Sequence, residues 1–372
     1  MADRGTIPSL DGLRAVSIIL VVVSHCGLGH IVPGGLGVTV FFFLSGYLIS
    51  TLMLAEWRST GTINVGHFYA RRAFRLVPPL LVTLAIAYAL NAAGLLPGST
   101  SWLGFLSQLF YLANYYLIFS DNFGQIPYGT AVLWSLAVEE HFYIFFPVTM
   151  LLLLRRFPSL GQVVALFAGL CLVVLLWRLH LASLPGLPEG RITYGTDTRV
   201  DSILFGCILA LGLNPIAARG KGGSMRPVHW AVLAGCLGLL ALSIAIRNPH
   251  FRDTYRYTMQ GVALAPIFYL AIRFAGDWLF RPLNSAAMAK IGVWSYSIYL
   301  IHHVAAAALL AQMPWLEARP VVFIPLVMAV SVGYAVLIDN LVDPYFRELR
   351  RRFRHGTPRP HIESPGQVAL RG

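Results

Sequence analysis

Charged side chains are scarce in this sequence of 372 residues. Asp, Glu, Lys and Arg together make up 12% of the chain, whereas hydrophobic residues make up 57%. The charged share is about half of that found in soluble domains. Together with a mean hydropathy of +0.67, this composition excludes an ordinary soluble domain and predicts a polytopic membrane protein.

Cysteines are also few, and no motif for a metal or a disulfide framework is visible. The four cysteines all fall inside apolar segments, where they are typical of buried thiols. The sequence therefore predicts neither a bound metal nor a permanently bound cofactor. It also shows no internal repeat of the kind that inverted-repeat transporters carry.

Acidic residues are outnumbered by basic residues, 16 against 28, which gives a net charge of +12. In a membrane chain, basic residues usually mark cytoplasmic loops and contacts with anionic headgroups. We therefore expect the bilayer, and not a nucleic acid, as the partner of this charge. Oligomeric state cannot be predicted from apolar spans.

Long apolar windows predict an all-α fold with about ten transmembrane helices. The predicted spans lie near residues 10–30, 36–55, 76–94, 131–154, 161–180, 202–217, 229–246, 258–274, 291–312 and 321–341. With this topology, 20 of the 28 basic residues lie on the side of the N-terminus and six on the other side. The positive-inside rule then places both termini in the cytoplasm.

Two regions depart from the pattern of spans. Residues 95–130 contain no Lys or Arg, and counting them as a span would invert every later loop, so we expect a re-entrant or interfacial segment on the outer side. Residues 343–372 are basic and then rich in proline, which predicts a cytoplasmic helix followed by disorder. The transmembrane domain is accordingly expected to cover residues 1–342.

Arg14 and His25 stand eleven residues apart in the first apolar segment. On a helix this spacing brings both side chains to one face, about 16 Å apart along the axis. Ionisable groups inside a span usually face a wet cavity and have a function. The alternative is a helix-end anchor together with a structural histidine.

Two carboxylates, Glu139 and Glu140, occupy the fourth predicted span at a depth similar to that of His25. A carboxylate that orients a histidine would fix its tautomer and raise its basicity. A structural glutamate paired with an interior arginine is the alternative.

A basic cluster precedes the third span, where Arg72 and Arg75 lie on one helix face. Such a cluster suits phosphate groups, although ordinary positive-inside charge would also explain it. Other polar candidates lie near the sixth and ninth spans, namely Asp197, Arg199, Asp201, Tyr299 and His302.

Taken together, these segments resemble the membrane-bound acyltransferase family 3, over nearly the whole chain. The R-x10-H pattern of that family matches Arg14 and His25, and its RxxR pattern matches Arg72 and Arg75. Four further blocks match in order, namely FFFLSGYLIS, WSLAVEEHFY, TDTRVDSILFG and SYSIYLIH.

The resemblance implies transfer of an acyl group, usually acetyl, from cytoplasmic acyl-CoA to a hydroxyl of an extracytoplasmic acceptor. It implies His25 as general base, Glu139 as its partner, and Arg14, Arg72 and Arg75 as the residues that bind acyl-CoA. We expect a cell-surface glycan such as lipopolysaccharide O-antigen or exopolysaccharide as acceptor, and the bacterial cytoplasmic membrane as location. A macrolide, a nodulation factor or peptidoglycan is the alternative acceptor, and a transporter is the non-enzyme alternative. Direct transfer and an acyl-enzyme intermediate both remain open.

Overall fold

The computed structural model describes residues 7–120, 125–218 and 224–353, and this part of the chain is helical without any strand. Its α-helices are α1 Leu10–Val23, α2 Gly34–Thr60, α3 Val65–Ala92, α4 Trp102–Leu109, α5 Ala113–Phe119, α6 Trp134–Arg156, α7 Leu160–Ala182, α8 Arg191–Tyr194, α9 Thr196–Gly212, α10 Pro227–Ala245, α11 Pro249–Asp253, α12 Tyr255–Arg273, α13 Ala286–Gln312, α14 Pro320–Leu337 and α15 Asp343–Arg352. Two π-helical turns, Ser24–Leu28 and Ile338–Val342, continue α1 and α14.

The predicted all-α, multi-pass architecture is confirmed, but the number of spans is only partly supported. A helix lies at each of the ten expected places, yet eight helices of the described chain are long and apolar enough to cross a membrane. The other two are α9 and α12. Helix α9 is only 17 residues long and carries Asp197, Arg199 and Asp201 in its first two turns, which lowers its hydropathy.

The segment expected to be re-entrant or interfacial contains two short helices, α4 and α5. They have 8 and 7 residues, or about 12 Å and 10 Å at 1.5 Å per residue, far less than a bilayer core of about 30 Å. Asn114 in α5 is fully buried and donates hydrogen bonds to the Tyr194 carbonyl and the Thr196 hydroxyl. This segment therefore packs beside the start of α9 and does not form a span.

Glycines allow two helix pairs to approach very closely. A methyl group on Gly46 of α2 would lie 1.9 Å from the Ile203 carbonyl of α9, and one on Gly292 of α13 would lie 1.9 Å from the Asp11 carbonyl of α1. Small residues at such crossings let helix backbones pack together within a membrane. The two pairs fix α1 and α2, which carry much of the candidate site, against α13 and α9.

A buried ion pair joins three of the outlying helices. Arg178 of α7 and Asp201 of α9 are 2.7 Å apart, and both side chains are fully buried. Arg178 also donates to the carbonyl of Thr254, directly before α12, and to that of Thr198. Because each nitrogen of the guanidinium has an acceptor on α9, on α12 or directly before α12, this pair holds the helices together.

The expected basic tail begins as a helix that folds back onto the bundle. Helix α15 packs against α3, with Phe74 stacked on Phe346 and Phe353. Residues 354–372, for which we expect disorder, lie outside the described residues. The domain boundary at residue 342 remains a prediction.

Candidate functional site

A cavity of about 440 Å³ opens between α1, α2, α3, α6 and α13. We call it the Arg14 cavity. Five of the residues predicted from the sequence line it together, namely Arg14, Arg72, Arg75, Glu139 and Tyr299. Residues from four different sequence blocks therefore meet in one space, which sequence spacing alone does not show.

The three arginines of the Arg14 cavity have different partners. Arg14 forms an ion pair of 2.8 Å with Asp11, one turn earlier on α1. Arg72 is bound to Glu140 at 2.9 Å and lies over the ring of Tyr143. Arg75 is exposed and makes no hydrogen bond or ion pair with the described residues. Arg75 is therefore the guanidinium with most capacity for an incoming anion.

Glu139 does not have the partner that we expected. Its carboxylate accepts a hydrogen bond of 3.1 Å from the Ser45 hydroxyl of α2, and it lines the Arg14 cavity. His25 makes its hydrogen bond to His302. The expectation that Glu139 orients His25 is therefore wrong in this structure, because α6 brings Glu139 to the arginines and α13 brings His302 to His25.

His25 lies in the π-helical turn Ser24–Leu28, where α1 loses its regular geometry. Gly27 adopts a φ of 92°, a left-handed conformation that favours glycine. Such π-helical turns occur frequently at functional sites. This turn exposes His25 while the neighbouring Cys26 is buried.

A chain of hydrogen bonds fixes the tautomers of two histidines. The Nδ1 atom of His302 lies 2.7 Å from the Tyr299 carbonyl oxygen, and Nε2 of His302 lies 2.9 Å from Nδ1 of His25. A carbonyl oxygen can only accept, so Nδ1 of His302 carries the hydrogen. Nε2 of a neutral His302 must then accept from Nδ1 of His25, which leaves Nε2 of His25 with a free lone pair.

His303 completes a group of three imidazoles. Its ring stacks on that of His25 with centroids 4.5 Å apart. Gly129, just before α6, approaches it so closely that a methyl group there would lie 2.7 Å from the His303 carbonyl oxygen. Sequence reasoning named His302 but did not give His303 a role, although the pair follows directly in the SYSIYLIHH segment.

The histidines and the Arg14 cavity share one residue. The Tyr299 side chain lines the cavity, and its hydroxyl lies 2.6 Å from the Ser135 hydroxyl. The carbonyl of the same residue accepts the hydrogen bond of His302. Tyr299 therefore connects the arginine-lined space to His302 and, through the hydrogen bond of His302, to His25.

The predicted group Asp197, Arg199 and Asp201 is divided between two roles. Asp197 binds Arg191 at 2.5 Å and accepts from the Trp177 indole, while Asp201 forms the buried pair with Arg178. Both carboxylates are thus occupied in holding helices. Arg199 alone faces a cavity.

That second space, of about 520 Å³, we call the Arg199 cavity. It lies at the other end of α1, because Ser24, the neighbour of His25, lines it. Val38 lines both cavities, so the two spaces share a wall residue on α2. Sequence reasoning did not identify this cavity, whose members come from distant segments.

Comparison with known proteins assigns the family. A family model described as "Acyltransferase domain" matches residues 7–339. The chain belongs to this acyltransferase family. It is 30% identical over 318 residues to "Peptidoglycan O-acetyltransferase OatA" of Listeria monocytogenes, covering 81% of the chain and 49% of the relative. It is 32% identical over 305 residues to "O-acetyltransferase OatA" of Staphylococcus aureus, covering 80% and 50%.

This member of the acyltransferase family spans about half the length of those curated relatives. No solved structure matches the chain. The match of the family model includes both cavities and the three histidines, all of which lie between residues 7 and 339.

Proposed function

We propose that this protein is a membrane O-acyltransferase that moves an acyl group, most simply acetyl, from acyl-CoA to a hydroxyl of a glycan. The single observation that carries the proposal is the pairing of His25 and His302. It gives an imidazole with a free lone pair, joined through His302 to Tyr299, which lines the Arg14 cavity, in a chain whose family transfers acyl groups.

The Arg14 cavity is the proposed site of the donor. Arg75, which has no partner among the described residues, would bind the phosphates of coenzyme A, since guanidinium groups make strong charge-assisted hydrogen bonds to phosphate. Apolar side chains such as Phe41 and Leu48 line the same cavity and suit the pantetheine arm. Arg14, on α1, would then lie between the bound phosphates and His25.

His25 is the proposed general base. Its free Nε2 lone pair takes the proton of the acceptor hydroxyl while that oxygen attacks the thioester carbonyl. A C–O bond forms, the C–S bond breaks, and the proton passes from His25 to the departing thiolate of coenzyme A. His302 holds the imidazole in the tautomer that this step requires.

We place the donor on the cytoplasmic side and the acceptor on the opposite side of the bacterial cytoplasmic membrane. The support is the distribution of basic residues, which favours cytoplasmic termini. The Arg14 end of α1 is then the cytoplasmic end, and the Arg199 cavity faces outward.

A cell-surface glycan is the acceptor that we propose, with O-antigen or exopolysaccharide as the first class. Peptidoglycan is the second candidate, and a specific observation favours it, because a relative from Listeria monocytogenes is named a peptidoglycan O-acetyltransferase. Parallel assays with purified glycans of both classes distinguish them.

Replacing His25 tests the proposal. Purified protein in proteoliposomes is supplied with radiolabelled acetyl-CoA and cell-envelope glycans. We expect His25→Ala to lower acetyl transfer about 10²- to 10⁴-fold, the range for loss of a general base. His180→Ala, which removes an exposed histidine at the end of α7, should retain wild-type transfer.

Three other results would contradict parts of the proposal. Equal transfer by wild type and His25→Ala would remove His25 from the mechanism. Passage of acetyl-CoA or glycan across the membrane without a new ester would instead indicate a transporter. Label that stays on the denatured protein and then moves to glycan would replace direct transfer by an acyl-enzyme intermediate.

A further inference from the structure

The Arg199 cavity has an unusual concentration of positive charge for a space within a helical bundle. Among the described residues, four arginines line it, together with one carboxylate, that of Asp253. The arginines are Arg199, Arg247, Arg252 and Arg256. Arg247 and Arg252 are exposed, whereas Arg199 is 2% exposed.

Arg199 is a buried cation without a bound carboxylate. Its guanidinium donates to the Thr193 carbonyl at 3.1 Å and to the Thr39 hydroxyl at 3.2 Å, and it lies 3.8 Å from the centre of the Tyr257 ring. Its Nε atom is buried and has no hydrogen-bond partner in the described part of the chain. A buried charge that lacks a counter-ion is costly, and the nearby Asp201 is already bound to Arg178.

Two neighbours in the cavity also have polar atoms without a partner. Nε of Arg256 and Oε1 of Gln260 are buried and make no hydrogen bond to any residue that the structure describes. Gln260 is 3% exposed. The cavity therefore combines unused N–H donors on two cations with one unused acceptor, which is a set that suits an anionic group on a hydroxyl-bearing molecule.

We propose that the Arg199 cavity binds the acceptor through a negatively charged substituent, a carboxylate or a phosphate carried by the glycan. This inference rests on the proposed function. Arg199 and Arg256 bind the anion, Gln260 accepts from a sugar hydroxyl, and Ser24 places the bound sugar next to His25. Neutral glycans lack the group that compensates Arg199, so they are poor acceptors.

Direct binding provides the first test, and it does not depend on catalysis. Purified protein is titrated with three labelled oligosaccharides of equal length: a neutral one, one with a uronic acid, and one with a terminal phosphate. We expect saturable binding of at least one anionic oligosaccharide, at least tenfold tighter than that of the neutral one. The preferred anion distinguishes carboxylate from phosphate. Equal affinity for all three, or saturable binding of none, would overturn the inference.

Variants locate the binding to this cavity. We expect Arg199→Gln and Arg256→Gln each to weaken binding of the anionic oligosaccharide at least tenfold and to leave that of the neutral one unchanged. The matched control is Arg319→Gln, which removes an exposed arginine outside this cavity and should bind like wild type. Equal weakening by Arg319→Gln would indicate a general charge effect and contradict the proposed site.

Acetyl-CoA binding separates this inference from the proposed function. If Arg199→Gln binds acetyl-CoA normally but shows a raised KM for the anionic acceptor, both stand. If wild type binds no acetyl-CoA, the proposed function fails, and the oligosaccharide titration still decides whether the cavity recognises an anion. Arg256, which is only half-buried, supplies the decisive variant if Arg199→Gln does not fold.

Discussion

At the scale of single residues, the proposed chemistry depends on the hydrogen bond between His25 and His302. An imidazole acts as a base only if one nitrogen has a free lone pair and the other is held in place. The Tyr299 carbonyl supplies this condition through His302. The Tyr299 carbonyl does not ionise, and the orientation of His25 therefore requires no carboxylate.

The role of His302 predicts a graded effect. We expect His302→Ala to lower kcat about 10- to 100-fold, the range found when a group that orients a metal-binding histidine is removed, with little change in KM for acyl-CoA. His302→Gln keeps an acceptor for His25 and should recover part of the loss. Equal loss in both variants, or a change confined to KM, would show that His302 does not position His25.

Arg72 is paired with Glu140, whereas Arg75 has no partner among the described residues. We therefore expect substitutions of the two arginines to have different effects. Arg75→Gln should raise KM for acyl-CoA about tenfold, the effect of about 1.4 kcal/mol, and leave thermal stability unchanged. Arg72→Gln should lower stability, because Glu140 then loses its partner within the bundle. Steady-state kinetics and thermal unfolding in detergent check both, and a lower stability of Arg75→Gln would contradict a role confined to the donor.

At the scale of helices, close glycine crossings set the relative positions of the groups that react. Of the residues in the most apolar stretch of each helix, 67% are buried in α2 and 61% in α13, but only 17% in α10. Helices α2 and α13 therefore form the centre, and α10 lies toward the lipid. Tight α1 to α13 packing in turn brings His25 to His302.

Substituting a crossing glycine tests this packing. Gly46→Ala would place a methyl group 1.9 Å from the Ile203 carbonyl, and backbone cannot move as freely as a side chain, so we expect a loss of about 1–3 kcal/mol in stability. Gly238→Ala on α10 meets open space and should be neutral or slightly stabilising. Thermal unfolding in detergent compares the two, and equal melting temperatures would contradict the crossing.

The helical order was predictable from the sequence, because apolar windows depend on local composition. The expected positions near 36–55 and 291–312 lie within α2 and α13. The length and the charges of α9 can be seen in the sequence, but the pairing of its buried Asp201 with Arg178 of α7 cannot. Long-range pairing of this kind leaves no local signal.

In the candidate site, the residues themselves could be predicted from the sequence more successfully than the contacts between them. Arg14, Arg75 and Glu139 do line one cavity. The partner of His25 was wrongly predicted, because adjacent depths in two spans do not show which helices are neighbours. Arg256 was placed in an outer loop, and its position in the Arg199 cavity depends on how α12 packs.

At the scale of the whole molecule, two cavities lie toward opposite ends of α1, and His25 follows Ser24, which lines the Arg199 cavity. The Arg14 cavity has partly compensated charge and apolar walls, whereas the Arg199 cavity has a buried cation that lacks a carboxylate. This asymmetry fits a donor and an acceptor that approach from different sides of a membrane.

The measurement that tests this account most directly is a sided transfer assay. Proteoliposomes of uniform orientation receive radiolabelled acetyl-CoA on the side of the termini and glycan only on the opposite side. We predict labelled glycan with wild type and with His180→Ala, and about 10²- to 10⁴-fold less with His25→Ala. Transfer that requires donor and glycan on the same side, or that persists without His25, would contradict the central claim.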